Sequence, residues 1–276
     1  MILGKKKKQK SHLASNIVLA VSLVVFIVAA FQLFRIGKGY QDGRKDYKEL
    51  QDSATKKKKD KKGGEEKFIV DFEKLAEKNP DVIGWIRFDP KPSIINYPIV
   101  QGKDNQEYLH KTFSKNENGL GAIFLNVDNS SNFKDKHSII YGHRMKDGSM
   151  FRHLQDYEEK SFWKKNQNFY IYTPNGRVIT YRIYSVGEVL DMSEAYETDF
   201  ADGKAYQEFI DRTKKDSLYE TGVKVRTADK VVTLSTCTKS SDNHRFVVHG
   251  VKEKEENIEI EEETGKEEKK EEKKEK

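Results

Sequence analysis

From Asn16 to Phe34 the chain runs for nineteen residues without a charged side chain. A backbone in hydrocarbon must satisfy its own N–H and C=O groups, so a run of this kind folds as a helix. At 1.5 Å per residue it reaches roughly 30 Å, the thickness of a bilayer's apolar core. A cleaved signal peptide would carry a shorter apolar core followed by a small-x-small site; here Phe31-Gln32-Leu33-Phe34 closes the run instead. The run is therefore read as an uncleaved transmembrane anchor, residues 16–34, behind a basic N-terminus of residues 1–15. Lysines are denser from Lys5 to Lys10 than the scattered Arg35, Lys38, Arg44, Lys45 and Lys48 beyond the run, and everything foldable follows it. These features predict a single-pass protein of the cell membrane, N-terminus inside and domain outside.

Two segments are set apart by composition. Residues 35–66 end in lysines up to Lys62 and in Gly63-Gly64, with few apolar residues to pack, and read as a polar tether. Its lysines could also touch anionic lipid. Residues 252–276 are Lys and Glu almost throughout, without an apolar face, and read as a disordered or solvated tail. The net charge of +6 is mostly a property of these ends. No basic stripe with interleaved aromatics marks residues 67–251, so nucleic acid is not an expected partner. That stretch is one domain of ordinary size.

Within it, Val70, Phe72, Leu75 and Ala76 recur at helical spacing until Asn79-Pro80. Short β-rich runs follow at 82–88, 94–100, 122–125, 138–141, 169–172 and 178–186, the last two joined by Pro174-Asn175-Gly176. Residues 104–109 read as a turn or short helix. Tyr206, Phe209 and Ile210 predict one helix over about 203–214, ahead of a last pair of strands.

Those strands carry the chemistry. Val231-Val232-Thr233-Leu234-Ser235-Thr236-Cys237 is β-branched and ends on the only cysteine of the chain. A turn over 238–243 leads through Arg245 into Phe246-Val247-Val248, so an arginine should open the hairpin partner. A cation lowers the cost of a thiolate, and the guanidinium fork can hold an oxyanion. The bland alternative is a buried cysteine acting as a small hydrophobe. A single cysteine excludes an internal disulfide framework and a CxxC zinc site. His143 lies beside Gly142, just past the 138–141 strand, and is the first candidate for a base. His244 and His249 flank the hairpin as rivals, while His110, His137 and His153 have no evident partner.

Taken in order, Phe72-Glu73-Lys74-Leu75, Asn79-Pro80-Asp81-Val82-Ile83-Gly84-Trp85-Ile86, Asn96-Tyr97-Pro98, Ile139-Ile140-Tyr141-Gly142-His143, Met145-Lys146-Asp147-Gly148-Ser149-Met150-Phe151 and Thr233-Leu234-Ser235-Thr236-Cys237 with Arg245 resemble the class B sortases. These are membrane-anchored cysteine transpeptidases of Gram-positive surfaces, and the resemblance covers about 68–251. It implies a mainly β fold: a closed barrel of about eight strands, with N-terminal helices and one helix inserted before the catalytic strand. It implies Cys237 as nucleophile, His143 as proton carrier and Arg245 as the group holding substrate and oxyanion, with no metal or other cofactor. Asn105, Leu109, Tyr141, Tyr196, Ser235 and Thr236 match the family's substrate groove. The implied partners are surface proteins with a C-terminal sorting signal of the Asn-Pro-x-Thr type and an amine acceptor on a peptidoglycan precursor or a pilin. Thr238 departs from the family, where many members have an acidic residue after the cysteine.

Two other functions fit the same residues. A cysteine endopeptidase would pass the acyl group to water, and a non-catalytic surface-binding module would keep the barrel alone. Joint retention of Cys237, His143 and Arg245 argues against the module.

Overall fold

The computed structural model of the chain describes residues 13–59, 66–238, 241 and 243–258. Expectations placed on residues 1–12 and on the Lys/Glu tract after Ile258 lie outside them. The chain divides into two compact units, one up to Asp42 and one from Gly43.

The first unit is the N-terminal part of helix α1 (Leu13–Ala54). Its apolar side chains are exposed all round, Phe26 and Leu33 each at 70%. An 18-residue window reaches a mean hydropathy of 2.8, long and apolar enough to cross a membrane. A helix apolar on every face suits lipid rather than one side of a core.

In the second unit eight strands close a barrel. They are β3 (Val82–Phe88), β4 (Asn96–Val100), β5 (Ile123–Leu125), β6 (His137–Tyr141), β7 (Asn168–Tyr172), β8 (Arg177–Leu190), β9 (Val231–Cys237) and β10 (His244–Asn257), in the spatial order β10-β8-β7-β3-β4-β5-β6-β9. Pairing is antiparallel except for β4 with β5 and β6 with β9. Closure leaves no barrel edge to attract another chain. Strand β1 (Thr55–Lys59) pairs antiparallel with β2 (Glu66–Val70) in a separate two-stranded sheet.

Helix α2 (Phe72–Lys78) starts at Asp71, whose side chain accepts from the Lys74 N–H. A short 3₁₀ turn (Arg152–Glu158) and α3 (Lys160–Lys165) follow β6. Helix α4 (Gly203–Lys215) is the one expected before the last strands, capped by Asp202. Its Tyr206, Phe209, Ile210 and Thr213, at i, i+3, i+4 and i+7, are buried. Tyr206, Phe209 and Ile210 pack with Tyr184, Val225, Val231 and Val251, and β9 is buried on both faces up to its last residue.

Within the expected tether, residues 43–54 are not free. Helix α1 runs to Ala54, and Tyr47, Leu50 and Ala54 are at most 3% exposed. Spaced three and four apart, they form a narrow apolar stripe that the surrounding charges mask in any composition average. Asp46 adds side-chain bonds to Lys78 (2.8 Å) and Ser114 (2.7 Å), and Gln51 donates to the Asn96 carbonyl (2.7 Å). Nor does order stop at Val251. Strand β10 continues to Asn257, with Lys252 to Asn257 paired to Tyr181 to Arg177 of β8. Backbone pairing needs no apolar side chain, and Arg177–Glu255 (2.5 Å) and Arg182–Glu253 (3.3 Å) match charges across the ladder.

Strands β6, β9 and β10 are tied by a buried relay. The His137 Nδ1–H donates to the Glu197 carbonyl (2.6 Å), the Thr233 hydroxyl to His137 Nε2 (2.6 Å), and the His249 Nδ1–H to Thr233 Oγ1 (2.7 Å). A carbonyl can only accept, and that fixes the direction of every bond in the series. Burial pushes the pKa of His137 down to about 4 and that of His249 to about 3. His249 is therefore a locked structural group and not a rival base.

Both rings are neutral when folded, so the unfolded chain takes up their protons first as pH falls from about 6.5. Stability should be level above that pH and decline below it. The first ring alone accounts for about 3 kcal/mol by pH 4. Chemical denaturation between pH 7 and pH 4 should show this slope, and a smaller one in His249→Gln. An equal slope in that variant would remove the relay from the explanation.

Candidate active site

Strand β9 ends on Cys237, which is exposed, and β10 begins at His244 and Arg245. The register sets Arg245 directly opposite Cys237. Facing residues of an antiparallel pair share a sheet face about 5 Å apart, so guanidinium and thiol project together. Arg245 lies between two acceptors: its Nη2 is 3.4 Å from Asp191 Oδ2, and its Nη1 donates to the His244 carbonyl at 3.0 Å. Asp191 follows β8, whose Val189 is the other neighbour of Arg245.

His143 reaches the same rim because β6 runs parallel to β9. Tyr141 pairs with Ser235, and the Gly142 N–H donates to the Ser235 carbonyl at 3.1 Å. Two residues further along each strand come His143 and Cys237, leaving the barrel at one end. Gly142 is required there, since a Cβ would sit 2.5 Å from Ile123 Cδ1 and 2.7 Å from the Phe151 ring.

The His143 ring is half-buried, and its Nε2–H donates to the Leu109 carbonyl at 2.7 Å. That bond leaves Nδ1 as the nitrogen able to exchange a proton. Burial lowers the pKa of His143 below the ordinary histidine range; the Leu109 carbonyl opposes the shift and His110 adds to it.

A chain of contacts links most of the expected groove residues. The Val127 N–H donates to Asn105 Oδ1 (2.8 Å), Asn105 Nδ2 to Asn126 Oδ1 (3.3 Å), and Asn126 Nδ2 to the Tyr141 hydroxyl (3.1 Å). Tyr141 stacks on Tyr196 with 6.2 Å between ring centroids, and the Tyr196 hydroxyl meets Ser235 Oγ at 2.8 Å. Burial raises the pKa of both phenols, so both stay protonated. Leu109 joins through its carbonyl on His143. Thr236 does not join. Strand alternation turns it to the face opposite Cys237, where it is 2% exposed with Oγ1 unpartnered.

Sequence reading missed Asn126, Asp191 and Arg144. Arg144 follows the histidine, and its Nε donates to Gln155 Oε1 at 2.6 Å. Burial and the neighbouring Arg152 lower its pKa, while Cys237 acts to hold it charged. It is a second guanidinium within electrostatic reach of the thiol. Only its place beside His143 pointed to it in the sequence. Among the described residues, no group of three or more His, Cys, Asp or Glu side chains could hold a metal ion.

Comparison with known proteins gives consistent matches. The family model for the sortase domain matches residues 90–253. Sortase B of Listeria monocytogenes is 33% identical over 250 residues, 88% of this chain and 98% of that protein. Sortase B of Staphylococcus aureus is 33% identical over 166 residues, 60% of this chain and 67% of that protein. Among solved structures, sortase B from B. anthracis in complex with AAEK1 aligns with a TM-score of 0.68 at 31% identity, covering 79% of this chain and all of that one. The Staphylococcus aureus sortase B–substrate complex aligns at 0.62 and 32% identity, over 67% of this chain and 85% of that one.

Proposed function

Because this chain belongs to the sortase family and is a class B sortase, we propose that it cleaves an Asn-Pro-x-Thr-type sorting motif after the threonine and transfers the acyl group to an amine of the cell wall or of a pilin. One observation carries the reading: Cys237 and Arg245 face each other across the β9–β10 ladder, and parallel β6 delivers His143 to the same rim.

The Cys237 thiol gives its proton to Nδ1 of His143, the resulting thiolate attacks the threonine carbonyl carbon, and the displaced electron pair moves onto oxygen beside the Arg245 guanidinium. As this intermediate collapses the C–N bond breaks, and His143 gives the proton on Nδ1 to the departing amine. A thioester remains on Cys237. The acceptor amine attacks it and loses a proton to Nδ1, and the thiolate leaves. Throughout, Nε2–H stays on the Leu109 carbonyl and keeps the ring oriented. Asn105, Tyr141, Tyr196 and Ser235 form the groove wall that holds the motif.

Sortases act at the cell surface, and the apolar helix suits an anchor. The N-terminus is placed inside and the barrel outside, where proteins with sorting signals are met. Intact protoplasts bearing the full chain should cleave added Asn-Pro-x-Thr-x peptides after threonine. An added glycine peptide should appear joined to the acyl fragment by mass. Hydrolysed product alone would make the chain an endopeptidase, and cleavage only after lysis would reverse the topology.

A further inference from the structure

We propose that residues 43–54 of α1 form part of the catalytic apparatus, and that Tyr47 is a positioning residue for His143. The proposal rests on His143 being the proton carrier.

The ring of His143 is walled by two stretches of backbone. Leu109 provides the carbonyl that takes its Nε2–H. Gly121 closes the other side: a Cβ there would lie 2.8 Å from His143 Cδ2 and 2.8 Å from the Tyr108 and Leu109 carbonyl oxygens. With φ at +61°, Gly121 holds a conformation that side chains disfavour, and its backbone therefore reaches the imidazole directly. The Ala122 N–H donates to the Tyr108 carbonyl (2.9 Å), so both stretches form one wall.

Tyr47 sits behind that wall. Its hydroxyl donates to the Gly121 carbonyl at 2.7 Å and accepts from the Phe113 N–H at 3.2 Å. One oxygen thus joins the two loops that meet at His143. The residue is 3% exposed, so water does not compete for these bonds, and burial keeps the phenol protonated as a donor. The same ring lies edge-on to Tyr97, 5.3 Å between centroids. Tyr97 in turn accepts from the Met150 N–H (3.1 Å), and the Phe151 N–H donates to the His143 carbonyl (2.9 Å). Arg44 pairs with Asp147 in the loop between them at 3.0 Å. Ring and backbone of His143 are therefore both supported from one helical segment.

A proton carrier must meet the leaving nitrogen within hydrogen-bond reach, and a 1 Å misplacement can cost about a hundredfold in rate. Tyr47→Phe keeps the ring and its packing on Tyr97 and removes only the shared hydroxyl. In the full chain, assayed below the variant's melting temperature, kcat should fall about tenfold with KM for the sorting peptide unchanged.

Single-turnover acyl-enzyme formation, read by intact mass, closes a double-mutant cycle with His143→Ala. If Tyr47 acts through His143, Tyr47→Phe should slow the wild type and add nothing in the His143→Ala background. An unchanged kcat in folded Tyr47→Phe would overturn the proposal, as would an equal effect in both backgrounds. Substantial activity in His143→Ala itself would overturn the assignment of the proton carrier instead, so the two failures are distinct. Should Tyr47→Phe fold poorly, Tyr97→Phe removes the partner of Met150 on the same support and should reproduce the cycle; additivity there would also sink it.

Discussion

Cys237→Ala is expected to abolish acyl-enzyme formation and product release together. The chain has one cysteine, so no second thiol can take over. A thiolate is nucleophilic at neutral pH, and a hydroxyl is a far weaker nucleophile there. Since Cys237 is exposed at the end of β9, truncation to alanine opens no core cavity and the barrel should keep its stability. The loss is then chemical. Intact mass after incubation with the sorting peptide should show no adduct, and cleavage should drop to background in the presence or absence of an amine. A covalent adduct on the variant, or cleavage above about a thousandth of the wild-type rate, would move the nucleophile elsewhere, since losing a nucleophile costs about six powers of ten.

Arg245→Lys is expected to cost two to three powers of ten, roughly the effect of removing one directed oxyanion donor. Lysine keeps the charge and loses the planar fork, so the substitution separates the two contributions. The geometry favours the directed role. The guanidinium is oriented by Asp191 on one side and the His244 carbonyl on the other, and register fixes its base opposite Cys237. An ammonium on a flexible stem cannot make both contacts and still present a donor at a fixed angle. Turnover of the sorting peptide measures the loss, and near-normal rates would confine Arg245 to electrostatics. Arg144 is a second guanidinium that interacts electrostatically with the thiol, and it would be the remaining directed fork in that variant.

The sequence determined what depends on neighbours along the chain. The uncharged run from Asn16 to Phe34 needs only its length and composition to specify an apolar helix. Helix α4 follows from the spacing of Tyr206, Phe209 and Ile210, and β9 from its β-branched run. The facing of Cys237 and Arg245 was legible because a short turn joins two strands, and hairpin pairing is local. His143 was grouped with that pair by the family motifs, since no local pairing links it to them.

What the sequence left open depends on contacts between distant segments. The tether reading averaged over Tyr47, Leu50 and Ala54, since three apolar residues among many charges bury themselves only when a matching surface exists. For Tyr47 that surface is built from Tyr97, Phe113 and Gly121, fifty or more positions later. The end of the domain was set six residues short because backbone pairing with β8 carries no signature in Lys/Glu composition. Thr236 was grouped with the groove by motif adjacency, yet strand alternation turns it away from its neighbour Cys237. The parallel pairing of β6 with β9, and the wall of Leu109 and Gly121 that selects Nδ1 of His143, exist only once the barrel closes. Local periodicity specifies elements; which His143 nitrogen is left free is decided by the backbone carbonyl the tertiary fold brings within 2.7 Å of the ring.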